Sequence, residues 1–240
     1  MDQELINAAT ANHYCMNSKY KTRLKPKYYS LLDDGAYQPN VYRLAKFIAE
    51  RIKCQNIIDI GSASASKLTA FHPRFHIIGV DFGANVQYCR EKFSFGTWID
   101  HNLDTPAMLT IPDEIVKDSI IICADVIEHL INPGYLLCNL RKLLDSAPIC
   151  LLSTPDRVRV RGNNHKGPPP NSAHVREWNS DEFIKLLHLF QLNVKFSGFT
   201  VSNSERPKVK NTILAILGNN QNHCKDFDRL IGQSEIVERT

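Results

Sequence analysis

The stretch Ile57-Ile58-Asp59-Ile60-Gly61-Ser62-Ala63-Ser64-Ala65-Ser66-Lys67-Leu68 decides how the chain is read. An apolar run stops at Asp59 and Ile60, small residues follow, and a helical pattern begins over Ser64–Phe71. A strand that turns through small residues into a helix brings backbone N–H groups close to a ligand at the helix N-terminus. Twenty residues after Gly61 a second apolar run, His76–Val80, ends at Asp81. An acidic side chain there can accept hydrogen bonds from both hydroxyls of an adenosine ribose, which favours a nucleoside cofactor over a plain tight turn. A dinucleotide would need GxGxxG, with its second glycine making room for a pyrophosphate. Ala63 and Ala65 place methyl groups in that turn, so a cofactor without a pyrophosphate is favoured.

Outward from this turn, short apolar runs alternate with helical patterns. The runs are Asn56–Ile60, His76–Val80, Gly96–Asp100, Ser119–Cys123 and Pro148–Ser153, with helices expected at Asn85–Lys92 and Pro133–Leu144 between them. Upstream, Pro39 suits a helix start, and Val41, Leu44, Ala45, Ile48 and Ile52 share one helical face of residues 39–53. Downstream, residues 180–190 form another amphipathic helix, with Phe183, Leu186, Leu187 and Phe190 inward, before the runs Leu192–Val201 and Thr212–Leu217. Repeated strand–helix–strand units imply parallel strands, and the short break at Asn203–Asn211 implies an antiparallel hairpin. The expected fold is α/β, a Rossmann-like, doubly wound seven-stranded sheet, mostly parallel with an antiparallel edge hairpin. Residues 1–38 read as an N-terminal arm or lid rather than core, 39–218 as the domain and 219–240 as a poorly ordered tail.

Bulk properties narrow the setting without naming a reaction. A formal charge of +4 over 240 residues is mild and is ordinarily a solvated surface, so nucleic acid is not implied by charge. The seven cysteines show no CxxC pair, and Cys123 and Cys150 lie in apolar runs, which points to a reducing, cytoplasmic compartment. No apolar stretch approaches the ~20 residues that span a bilayer. The N-terminal residues lack the basic and apolar regions of a signal peptide.

Five segments in order resemble the class I S-adenosylmethionine (SAM)-dependent methyltransferases, over about residues 40–217: IIDIGSASAS, the strand ending in Asp81, the residues after Asp100, ICADVIEHL at 122–130 and LLSTPDR at 151–157. The resemblance implies SAM as cofactor. It assigns cofactor contacts to Asp59, Gly61, Ser62, Ala63, Asp81, Phe82, Asp100, Asn102, Leu103 and Ala124. Phe82, Asp100, Asn102 and Leu103 would lie against adenine, and Asp59 and Gly61 beside the methionine part. The chain departs from the usual DxGxGxG at Ala63 and Ala65.

In DVIEHL, Asp125, Glu128 and His129 stand at i, i+3 and i+4 after strand four. In a helix they would share one face and could form half a shell for a divalent metal. The plainer reading makes Glu128 and His129 structural, with His129 bonded to a backbone carbonyl. A second resemblance bears on this choice. Small-RNA 3′-terminal 2′-O-methyltransferases and ubiquinone-pathway O-methyltransferases carry a related E-V-I-E-H motif that holds a divalent ion. The RNA enzymes add a histidine from a segment like H-x-F-E-W, and His174-Val175-Arg176-Glu177-Trp178 matches it. The implied ligands are Asp125, Glu128, His129 and His174, with Mg2+ or Mn2+ as the ion. A bound ion lowers the pKa of a coordinated hydroxyl, and His129, His165 or Asp125 are the candidates for handling its proton.

The loop RVRVRGNNHKGPPPNSAHVREW, 157–178, is too rich in Pro and Gly for a long helix and too long for a simple connection. Its wording resembles methyltransferases associated with glycosyltransferases and surface-glycan assembly. That implies a sugar acceptor with vicinal hydroxyls, and glycosyltransferases of the same pathway as partners. Asn163, Asn164, His165 and Asn171 are the polar residues expected near the acceptor, and Tyr28, Tyr29 and Tyr37 could cover it. RNA ribose 2′-O-methylation suits the same metal set, but the chain has no dense Arg/Lys stripe. A phenolic acceptor would call for a less polar pocket. A non-catalytic binding module on the same fold draws support from Ala63 and Ala65 and opposition from Asp59, Asp81, Asp125, Glu128 and His129.

Overall fold

A computed structural model describes residues 4–5, 13–28, 35–219 and 238–239. Five parallel strands build the core of the sheet: β1 (Asn56–Ile60), β2 (His76–Asp81), β3 (Gly96–Asp100), β4 (Ser119–Ala124) and β5 (Ile149–Pro155). β6 (Val194–Val201) and β7 (Lys210–Gly218) follow, and β7 runs antiparallel to both β5 and β6. The order β3-β2-β1-β4-β5-β7-β6 is the expected mostly parallel sheet with an edge hairpin. A two-residue strand, β8 (Glu238–Arg239), adds to β6, so part of the segment read as a tail joins the sheet. Residues 220–237 and Cys224 lie outside the described residues.

Helices cover both faces because β1, β4 and β5 are mostly apolar and buried along nearly their whole length, as strands covered on two sides are. On one face, α1 (Pro39–Ile52) inserts Leu44, Ala45 and Ile48 against the sheet, beside α2 (Ala84–Lys92). On the other lie α4 (Pro133–Leu143) and α6 (Ser180–Leu189), where Leu136, Leu140, Phe183 and Leu187 pack with Ile121 and Leu152. Two short helices, α3 (Asp113–Val116) and α5 (Arg157–Arg161), serve as connections. α6 starts on a capping box in which Asn179 and Glu182 bond each other's backbone N–H. No helix among the described residues is long and apolar enough to cross a membrane.

Two expectations need correction. The segment Ser64–Phe71 is not an α-helix but a 3₁₀ turn, Ser66–Ala70. Its apolar pair Leu68 and Phe71 is spaced i, i+3, which a three-residue turn satisfies as well as a 3.6-residue one. The arm is also more than a lid. Tyr14, Met16 and Tyr20 are buried in the core beside Trp178, whose indole N–H donates to the Tyr14 carbonyl. The arm then runs along the 157–178 loop, joined by hydrogen bonds from the N–H groups of Lys21, Arg23 and Lys27 to the carbonyls of Lys166, Val175 and Ser172.

Candidate active site

The carboxyl ends of β1, β2, β4 and β5 open into one cavity of about 980 Å3, at the reversal of strand order where open α/β sheets bind ligands. Its two halves are built differently.

Over β1 and β2 the walls are backbone and small side chains. Gly61 turns the chain at φ +80°, and a Cβ there would strike the Val126 side chain. Ala63 and Ala65 follow in the left-handed region, at φ +46° and +56°. Asp81 fixes this loop. Its carboxylate accepts from the N–H groups of Ala63 and Phe82 (2.8 Å each) and from Asn85 Nδ2 (3.0 Å). A carboxylate has about four acceptor positions, so these three donors leave one facing a ligand. Gly61, Ala63, Asp81, Phe82, Asn102, Leu103 and Ala124 all line the cavity. Three other expected contacts do not. Asp59 lies beneath the floor, only 1 % exposed, and accepts the Tyr42 hydroxyl at 2.9 Å. Ser62 is turned into the sheet, where its hydroxyl faces Gly79. Asp100 is an exposed strand end that accepts the Gly83 N–H, positioning that glycine rather than the cavity itself.

Over β4 and β5 the walls are side chains drawn from distant segments. Glu128, His129 and His174 come together, each offering a potential ligand atom within 4.8 Å of the others. Glu128 is fully buried. Its Oε2 accepts the Thr154 hydroxyl at 3.0 Å, while Oε1 has no hydrogen-bond partner. Burial, and then the charge of Asp125, push its carboxyl well above the usual range. His129 Nδ1 lies 3.0 Å from the Ala173 carbonyl. A carbonyl only accepts, so Nδ1 carries the proton and Nε2 the lone pair. Burial, and then His174, bring His129 down to about 4, so the ring is neutral near pH 7. The plainer reading of His129 was therefore right about its carbonyl partner, yet that bond is what frees Nε2.

His174 is oriented in the same way. Its Nδ1 is 2.8 Å from Glu177 Oε1, and Arg161 holds that carboxylate from the other side. Burial raises the Glu177 pKa, but the hydrogen bonds from His174 and Arg161 outweigh it and leave the group below its ordinary value. Glu177 is thus an acceptor, His174 Nδ1 a donor, and His174 Nε2 a lone pair that receives the Asn171 amide at 2.9 Å. Sequence reading missed Glu177 as a partner, although its i+3 spacing from His174 was visible.

Asp125 stands apart from this cluster and so departs from the expected ligand set. It sits at φ +55°, directly after β4, and its carboxylate accepts the Ser153 hydroxyl at 2.8 Å and the Gln38 amide. Burial raises it to about 6. His165 is not at the site either. It lies in the turn after α5, its Nδ1 accepting the Gly167 N–H, because the arm pins this turn at Lys166 outside the cavity. Asn163 and Asn164 are exposed in the same turn, while Asn171 lines the cavity. Tyr28 and Tyr37 line it as well, and Tyr29 lies outside the described residues. Gln38, Asn211 and Thr212 are among the other lining residues. Sequence reading missed all three, since nothing local marks them.

Solved structures share this architecture. A SAM-dependent methyltransferase from Clostridium acetobutylicum superposes with a TM-score of 0.53 at 14% identity, over 74% of this chain and 91% of that one. The plantazolicin methyltransferase BamL, solved with a triazolic substrate analogue and SAH, gives 0.55 at 14% identity, over 75% and 83%. The small RNA methyltransferase HEN1 gives 0.52 at 19% identity, over 82% of this chain but 28% of that longer one. At such identities the likeness is one of fold. No curated protein matches the sequence. Residues 31–195, however, match the family described as a methyltransferase domain, and with that much of the chain matched the protein belongs to this family.

Proposed function

We propose that the protein is a SAM-dependent O-methyltransferase acting on a sugar hydroxyl with a vicinal partner in a glycan or glycoconjugate, assisted by a divalent cation, Mg2+ or Mn2+. The observation that carries the reading is the three-residue cluster: a buried Glu128 oxygen without a partner, beside two histidines whose Nδ1 atoms are held as donors. A buried carboxylate of that kind is costly unless a cation or proton meets it. Two imidazole nitrogens, His129 Nε2 and a His174 Nε2 that would exchange the Asn171 amide for the ion, together with one carboxylate oxygen, suit a divalent ion of the first transition row such as Mn2+ better than Mg2+. When bound, the ion supplies Lewis acidity that lowers the pKa of a hydroxyl beside it.

The protein's own residues do the rest. Gly61 and Ala63 would present backbone to the methionine end of SAM, and Asp81 would take one ribose hydroxyl at its remaining acceptor position. Phe82, Asn102 and Leu103 border the adenine. His129 Nε2 cannot both hold an ion and accept a proton, so the base must be a different group. Asp125 fits, because it lies outside the cluster, lines the cavity and is raised to about 6. The acceptor oxygen attacks the methyl carbon, the carbon–sulfur bond breaks, SAH leaves, and the hydroxyl proton passes to Asp125. Holding the two reactants in line is the larger part of the acceleration.

A second reading, methylation of a terminal RNA ribose, has the same vicinal diol and the fold likeness to HEN1 in its favour. The absence of a dense Arg/Lys stripe favours the glycan, although of the polar loop residues expected near the acceptor only Asn171 lines the cavity. The same reading puts the protein in the cytoplasm beside glycosyltransferases, where the six described cysteines remain free thiols. The test is methyl transfer from SAM to a panel of glycosides and a short RNA with a free 3′ end, with EDTA and with added Mg2+ or Mn2+. Transfer to a glycoside that EDTA stops and metal restores is expected. Transfer to RNA alone would overturn the acceptor, and transfer indifferent to EDTA would overturn the metal.

A further inference from the structure

Beyond Asp125 the cavity continues towards the start of β7, and its wall there has an unusual feature. Gln38 is 1 % exposed, and its Oε1 is buried without a hydrogen-bond partner. Asn211 Oδ1 is buried without one as well. Both residues line the cavity, with the Thr212 hydroxyl and Ser202 beside them. Buried acceptors are ordinarily paired, so two unpaired ones on residues lining one cavity call for a donor. The amide of Gln38 cannot be reversed to remove the first. Its Nε2 donates to the Asp125 carboxylate and faces Thr212 Oγ1 at 3.4 Å, so the oxygen must point the other way. Gln38 is itself held in place, because its N–H donates to the Ser202 carbonyl and Tyr37 bridges to Asn203.

We propose that Gln38 and Asn211 form an acceptor subsite that receives hydrogen bonds from neutral donors, hydroxyl or amide N–H groups, on the part of the acceptor flanking the methylated oxygen. Such donors are what a sugar ring or its neighbour presents. The inference deepens the O-methyltransferase reading and rests on it for the identity of the acceptor. The subsite ranks acceptors by the pattern of their remaining hydroxyls, leaving the cofactor half untouched. Gln38 has a second task, since the same amide holds Asp125. Asn211 is therefore the cleaner probe, and its backbone carbonyl, which accepts the Asp156 N–H, is kept in any variant.

The experiment compares the full chain with Asn211→Leu and Asn211→Asp. Its substrates are methyl glycosides of common hexoses and deoxyhexoses, each beside its monodeoxy analogues. Asn211→Leu is expected to raise the acceptor KM about tenfold, to leave SAM affinity by calorimetry unchanged, and to stop distinguishing one monodeoxy analogue from its parent. Asn211→Asp keeps an acceptor and should keep that distinction. Equal KM and unchanged analogue discrimination in Asn211→Leu would overturn the subsite while leaving the glycan reading intact. If no glycoside is methylated, the acceptor reading fails and the subsite is judged by binding alone. In that case saturation-transfer NMR of the SAH-loaded protein with the same glycosides supports it if signals appear and vanish in Asn211→Leu. It is overturned if none appear or if they persist. Should Asn211→Leu fail to fold, Asn211→Ala takes its place in both arms.

Discussion

The two halves of the cavity solve different problems with different materials. Over β1 and β2, one short run of chain from Asp59 to Ala65 shapes the wall with its own backbone, and a single carboxylate, Asp81, ties it down. Over β4 and β5, the wall is assembled from residue 38, residues 125–129, residues 171–177 and residue 211, and its side chains carry displaced ionisations. A cofactor that never varies suits a rigid turn in which steric fit decides binding. An acceptor that must be oriented and deprotonated needs buried charge, and buried charge has to be held by partners from several directions.

The sharpest way to break the comparison is to strike the side-chain half and watch the other. Glu128→Ala removes the orphaned oxygen and one member of the cluster. Methyl transfer should fall on the order of a thousandfold, and what remains should no longer respond to EDTA. SAM affinity, read by calorimetry, should stay as it was. A variant that keeps both its rate and its EDTA sensitivity would remove Glu128 from the chemistry. The converse blow is Gly61→Ala. A methyl group there meets Val126, and φ +80° is unfavourable for any side chain. SAM affinity is expected to drop about a hundredfold, with loss of thermal stability as well, because the turn and Val126 must part. Undiminished binding would show that the loop has room the structure does not give it.

The same division explains what could be read in the sequence. Gly61 and Asp81, which line the cavity, could be placed there because local patterning fixes a strand end and the turn after it, whereas Ala63, Phe82, Asn102 and Leu103 were reached through the family resemblance. The mostly parallel sheet with its edge hairpin followed from alternation of apolar runs with helical ones, while the strand order came from the structure. Asp59, Ser62 and Asp100 carry the expected letters, but spacing alone does not say which way a side chain within a strand, at its end or in the turn after it points. Glu128, His129 and His174 were found through motif letters. Gln38 and Asn211 had no such mark. They line one cavity because the chain entering α1 is bonded to the β6–β7 hairpin, a contact between segments far apart in sequence. His165 failed for the related reason that the arm holds its turn away from the cavity.

Acidification acts more gently, and within the side-chain half alone. His129 is lowered from 6.5 to about 4, so the folded protein prefers its neutral form. The stability this confers is fully present above pH 6.5 and is lost as pH falls through about 4. Asp125, raised to about 6, acts in the opposite sense: its contribution is present below the ordinary carboxylate range and is lost as pH rises through about 6. The two overlap in the wild type, so the test is a difference. In EDTA, the stability gap between wild type and His129→Gln should shrink by on the order of 3 kcal/mol between pH 6.5 and 4, measured by urea unfolding. A gap that stays constant would mean that His129 titrates normally.

The smallest effect lies within the cofactor turn and tests whether its two left-handed alanines are equivalent. Ala63 is partly exposed at φ +46°, whereas Ala65, at φ +56°, is 1 % exposed and packs in the cluster around Leu68. Glycine at either position relieves about 1 kcal/mol of left-handed strain, against some 0.4–1 kcal/mol of added freedom in the unfolded chain. At Ala63 little else changes, since the bond from its N–H to Asp81 is backbone and survives. Ala63→Gly should therefore be neutral or stabilising, by up to about 0.5 kcal/mol. At Ala65 the substitution also deletes a buried methyl, at about 0.8 kcal/mol, so Ala65→Gly should be destabilising. The two variants should differ by roughly 2–4 °C in Tm, with Ala63→Gly the higher. The reverse order would place the packing at Ala63, and the wall nearest the cofactor would then owe its shape to side-chain contact, as the acceptor half does.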